Sequence, residues 1–64
     1  MWTNCADELP RNDMSNVIIS DGNNYYVFRA YAFHIPWMFD TVTRLKHKWT
    51  YYSDKKWRDL HNGN

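Results

Sequence analysis

The stretch that most restricts how this chain can fold is residues 17–33, VIISDGNNYYVFRAYAF. Two runs of β-branched and aromatic residues, Val17-Ile18-Ile19-Ser20 and Tyr25 to Phe33, flank Asp21-Gly22-Asn23-Asn24. Such runs favour extended backbone, and Gly22 can take the positive φ of a tight reversal, so the pattern predicts a β-hairpin over 17–33. Alternation along the second strand puts Tyr26, Phe28, Ala30 and Ala32 on one face and Tyr25, Val27, Arg29, Tyr31 and Phe33 on the other. The first set reads as core, because its alanines let another element come close. The second mixes three aromatic rings with a guanidinium that is costly to bury unpaired, so it must be covered or left as an amphipathic patch.

Size sharpens that choice. At 64 residues the chain is one small domain, 1–64, with room for a single core. Surface scaling gives about 7,000 Å² buried on folding, of which roughly 4,000 Å² is apolar. At ~25 cal/mol per Å² that is about 100 kcal/mol, and ordering the backbone and side chains at about 1.5 kcal/mol per residue costs nearly as much. A staple, a metal or a partner is therefore attractive. Cys5 is the only cysteine, so no intrachain disulfide forms and the paired thiols of a structural zinc site are missing. It reads as a small apolar side chain in a reducing compartment. The opening Met1-Trp2-Thr3-Asn4 lacks a basic segment followed by an apolar run, and no stretch of ~20 apolar residues occurs. The expectation is a cytoplasmic protein without a membrane span.

Elsewhere the signals are weaker. Residues 3–16 have poor periodicity and include Pro10, which predicts an irregular N-terminal arm anchored by Trp2, with one helical turn at Asp7 to Leu9. Pro36 ends the extended run and biases Ile35 away from helix. Phe39, Val42, Leu45 and Trp49 recur at helical spacing, but Thr41, Thr43, Leu45, His47 and Trp49 also alternate. The reading leans to a short helix over 40–47. KWTYY and KWRDL then read as two short strands around a Ser53-Asp54-Lys55-Lys56 turn. The expected class is α+β: a small antiparallel sheet, hairpin 17–33 plus two short C-terminal strands, with at most one short helix.

Catalytic patterns are missing. Ser15, Ser20 and Ser53 lie in no nucleophile-elbow context, and there is no phosphate-cradling glycine loop. His34, His47 and His61 have no metal-ligand spacing, and Asp54 and Asp59 sit among basic neighbours. Neither an enzyme, a cofactor nor a metal is expected.

Charge is unevenly spread. Four acidic residues against Arg11 leave residues 1–24 at −3, while seven basic against three acidic leave 25–64 at +4, together the +1 of the whole chain. Lys46, Lys48, Tyr51, Lys55, Lys56 and Arg58 lie in a segment where cations interleave with rings, the mixture that binds single-stranded nucleic acid. The same alternation arises where aromatics face a core and lysines face water. Protein binding is the stronger expectation. Four tryptophans and five tyrosines exceed what a small core needs, and Trp, Tyr and Arg concentrate at the energetic centres of interfaces. Tyr25, Arg29 and Tyr31 are the expected central contacts, with Phe33 and Trp37 extending the patch. A homo-oligomer that consumes this aromatic face is a further possibility.

The opening WTNCADELP, through Trp2, Asp7, Leu9 and Pro10, resembles a family of short phage and prophage proteins of unknown function that begin Trp-x6-Leu-Pro. VIISDGNNYYVF looks like the hairpin that comes next in that family. The resemblance covers roughly the first half of the chain. It implies a phage origin, a bacterial host cytoplasm and no known catalysis, and it transfers no active-site residue. The combined expectation is a non-catalytic accessory protein that binds a host protein.

Overall fold

The computed structural model describes residues 1–62. Strands β1 (Thr3–Asn4), β2 (Asn16–Ser20), β3 (Tyr25–Arg29) and β4 (Lys48–Tyr51) form one antiparallel sheet in the order β1-β4-β2-β3. A 3₁₀ segment, Ala30–His34, and helix α1 (Pro36–Arg44) come after β3, and helix α2 (Asp54–Asn62) comes after β4. The protein is thus a small α+β fold built on an antiparallel sheet.

The hairpin forms as its sequence predicts. Val17 pairs with Phe28, Ile18 with Val27 and Ile19 with Tyr26. Gly22 takes φ 99°, and the Asp21 carboxylate accepts the N–H groups of Asn23 and Asn24 at 2.9 and 2.8 Å, so this turn satisfies its own donors. β2 is central, because its other side pairs with β4 through Ile18–Thr50 and Ile19–Trp49.

Register then sorts the side chains. Val17, Ile19, Trp49 and Tyr51 share the face on which Phe33 and Ala30 of the 3₁₀ segment, Met38 and Val42 of α1, and Cys5 complete the core. The opposite face carries Ile18, fully buried, beside Thr50. Lys56 of α2 donates from Nζ to Thr50 Oγ1 at 3.1 Å, which ties that helix to this second face.

Three expectations need correction. The strand ends at Arg29 rather than Phe33: Ala30 N–H still makes the ladder bond to Ser15 O at 2.7 Å, but Tyr31 N–H turns out of register to the carbonyl of Asp13 at 2.8 Å. The chain then tightens into the 3₁₀ turn, the period of two lapses, and Phe33 swings inward to 0 % exposure. The second C-terminal strand is instead helix α2, so there are two α-helices rather than at most one. Ser53 accepts the N–H of Lys56 at 3.1 Å and so caps the helix, and Lys55 pairs with Asp59 one turn on at 2.9 Å. The N-terminal arm is less irregular than expected. Thr3 and Asn4 pair with Trp49 and Lys48, and beyond them comes a turn in which Asn4 O accepts the N–H groups of Asp7 and Glu8.

The helix expected over 40–47 is present but starts and stops earlier. Pro36 occupies its first turn, where a missing N–H costs nothing, and Ile35 stays extended as the proline demands. At the other end Lys46 adopts φ 55°, Lys46 N–H bonds Thr43 O, and His47 N–H bonds Val42 O. This is the left-handed stop that glycine usually supplies.

Candidate functional site

Strand order decides what is open. β3 lies at the end of the sheet and has β2 on one side only, so every one of its five residues remains exposed although four are apolar. Tyr26 and Phe28 do point to the core side, sharing a face with Ile19 and Val17. The core helices do not reach far enough over this margin to seal it, and the two rings are 47 % and 40 % exposed.

Between them and α1 runs an apolar recess of about 190 Å³. Tyr26 and Phe28 form one wall, Trp37, Met38 and Thr41 of α1 the other, and Ile19 and Val42 lie among its lining residues. Trp37 stands at the first turn of α1 and is 68 % exposed, the most open large ring of the molecule's apolar surface. Pro36 places it there by starting the helix directly after the extended Ile35. Asp21 and His47 supply the polar end of the recess. The Asp21 carboxyl is held below its ordinary range by the N–H groups of Asn24 and Asn23 and, to a smaller extent, by the charge of His47. Sites for whole cofactors usually occupy ~300 Å³ or more. This recess has the size of one or two apolar side chains.

The residues expected to form one patch are dispersed. Tyr25 and Arg29 lie on the second face of β3, where the Tyr25 ring sits 5.9 Å from Trp2 and Arg29 Nη1 donates to Met14 O at 2.7 Å. Tyr31 is exposed on the 3₁₀ segment, Trp37 belongs to the recess, and Phe33 is in the core. Phe33 therefore offers no contact surface, which corrects the sequence reading. Tyr26 and Phe28, read as plain core, are the exposed recess-lining rings that reading missed. Their orientation was visible in the alternation, but their exposure arises from β3 being an edge.

The basic aromatic segment is also divided. Tyr51 faces the core side: its hydroxyl accepts the N–H of Arg11 at 2.9 Å, its ring packs edge-on to Trp49, and the Arg11 guanidinium lies 4.6 Å above it. Lys48 points to the opposite face, Lys55 is paired with Asp59, Lys56 is bonded to Thr50, and Lys46 holds the left-handed stop after α1. Arg58 lies on the exposed side of α2. These six residues do not line one groove.

Among the described residues no group of three His, Cys, Asp or Glu side chains is placed to hold a metal ion, and no helix is long and apolar enough to cross a membrane. No buried side-chain nitrogen or oxygen among them lacks a hydrogen-bond partner. Compared with family models, curated proteins and solved structures, the chain matches none.

Proposed function

We propose that this chain is a non-catalytic binding module, a phage-type accessory protein that docks on a host protein in the bacterial cytoplasm and inhibits or redirects it by occupying a surface. One observation carries the reading: at the open margin of the sheet, Tyr26, Phe28 and Trp37 line an apolar recess sized for a side chain. Rigid rings around such a recess form the kind of centre on which interface energy concentrates. The occupant is one or two apolar side chains of the host protein, gripped between β3 and α1.

Affinity capture from bacterial lysate, read by mass spectrometry, tests this with the wild-type chain and a Phe28→Ser/Trp37→Ser variant. Both substituted side chains are well exposed, so the fold should survive, as circular dichroism will check. A host protein retained by the wild type should be lost at least tenfold from the variant, and its retention should change little with added salt. Undiminished capture by the folded variant overturns the assignment. Binding to single-stranded nucleic acid that weakens steeply with salt would favour the basic segment instead.

A further inference from the structure

Beside the recess, β3 presents a second feature, its backbone edge. Asp21 N–H bonds Asn24 O at one end of the hairpin and Ala30 N–H bonds Ser15 O at the other. In an antiparallel ladder bonded pairs alternate with non-bonded ones, so Tyr26 and Phe28 bond β2 while Tyr25, Val27 and Arg29 aim their N–H and C=O groups at the open edge. That edge is lightly protected. Tyr25–Arg29 contains no proline and no lysine, and its one charge, Arg29, sits at its very end.

We infer that this edge pairs antiparallel with β3 of a second copy about a two-fold axis at Val27, joining two four-stranded sheets into one of eight strands. The inference rests on the edge, not on the recess reading above. Its basis is the self-complementarity of Tyr25-Tyr26-Val27-Phe28-Arg29. With Val27 opposite its own counterpart, Tyr25 of each copy faces Arg29 of the other on the second face. A guanidinium against a tyrosine ring is favourable, and the molecule already uses it between Arg11 and Tyr51 at 4.6 Å. On the core face Tyr26 meets Phe28 twice, the aromatic cross-strand pairing that stabilises sheets.

Charge selects this arrangement over its alternatives. The two Arg29 residues end up four positions apart along the ladder, roughly 14 Å at ~3.4 Å per residue, beyond the ~8 Å screening length at physiological salt. Parallel pairing in register would set them side by side. A two-fold axis also closes the assembly at two copies, leaving no free edge of this kind for a third. The turn at 21–24 and the 3₁₀ segment at Ala30 confine the ladder to five residues. The interface is therefore small and the dimer weak.

Sedimentation equilibrium of the purified chain from about 5 μM to about 1 mM tests this. The mass should rise from 7.8 kDa towards twice that value as concentration increases. Val27→Lys puts two like charges at the axis and should weaken association at least tenfold; Val27 is half-exposed in the monomer, so the fold should persist. Chemical synthesis with an N-methyl group on Val27 removes only the outward donor and should have the same effect, which keeps the test decisive if the lysine variant misfolds. Tyr25→Glu places a carboxylate opposite Arg29 of the other copy and should tighten the dimer several-fold. A constant 7.8 kDa at every concentration overturns the inference. So does a dimer indifferent to both Val27 changes, or one weakened by Tyr25→Glu. Each of these readouts is independent of host-protein capture, so either reading can fail while the other stands.

Discussion

The two edges of the sheet solve the same problem in opposite ways. β1 exposes an edge only two residues long, and the chain leaves strand conformation at once: Asn4 O accepts two N–H groups, Asn4 Oδ1 accepts that of Ala6 at 2.8 Å, and Cys5 drops into the core. β3 runs five residues with rings on both faces and covers none of them fully. One edge is closed by bending away and by burying the very next side chain. The other is left open, although Phe33 just beyond it is sealed inside. The molecule thus keeps the parts that hold it together on the β1–β4–β2 side and beneath the 3₁₀ turn, and leaves its aromatic surface open at β3.

The largest test of that division is Phe33→Ala. Phe33 is fully buried among Ala30, Met38 and Val42, and removing its ring leaves a cavity costing about 3–5 kcal/mol. A 64-residue domain has a stability of only about 3–10 kcal/mol, so chemical denaturation should find this variant largely unfolded or close to it. Phe28→Ser, two residues before the 3₁₀ segment and half-exposed, should shift the midpoint far less. Equal losses at both sites would erase the distinction between interior and open edge.

How far this division is legible in the sequence depends on whether neighbours along the chain or across it decide each element. The β2–β3 pairing was legible, because Asp-Gly between two β-rich runs is a local instruction. The end of β3 was not. Ala30-Tyr31-Ala32-Phe33 fits a period of two as well as a 3₁₀ turn, and the carbonyl of Asp13, distant in sequence, draws Tyr31 N–H out of the ladder and decides between them. α2 was misread because Ser, Asp and Lys serve a turn and a helix cap equally, and the Trp57–His61 spacing that distinguishes them is a single helical turn. β1 is too short to show any pattern. Of the candidate site, Trp37 was legible as a surplus ring beside a proline. The exposure of Tyr26 and Phe28 depends on strand order, which no single stretch of residues encodes.

The closed edge carries its own reporter. Burial pushes the Cys5 thiol up from 9.0 to about 11, with a backbone hydrogen bond opposing that rise. Because the folded value lies above the unfolded one, the native state holds the proton more tightly. The associated stability is complete below pH 9 and is lost as pH rises through 9 to 11. At pH 8 the thiolate is about a hundredfold scarcer than in the unfolded chain, so alkylation by iodoacetamide should be slowed at least that much and should accelerate as alkali loosens this edge. Rapid native-state modification at pH 8 would mean that the β1 edge is as open as β3.

A smaller change should make the two edges more alike. Trp49 Nε1 donates to Glu8 O at 2.8 Å, and this bond ties the loop after β1 to the core strand β4. Trp49→Phe keeps an aromatic ring but leaves that carbonyl without its donor, at a cost of about 1–2 kcal/mol. The loss should fall on the arm rather than on the hairpin, so hydrogen exchange should speed up at Cys5, whose N–H bonds His47 O at 2.8 Å, and not at Tyr26 or Phe28. Cys5 alkylation should quicken in parallel. Faster exchange spread evenly over both strands would show that the arm is not a separately held closure and that the two edges share one cooperative stability.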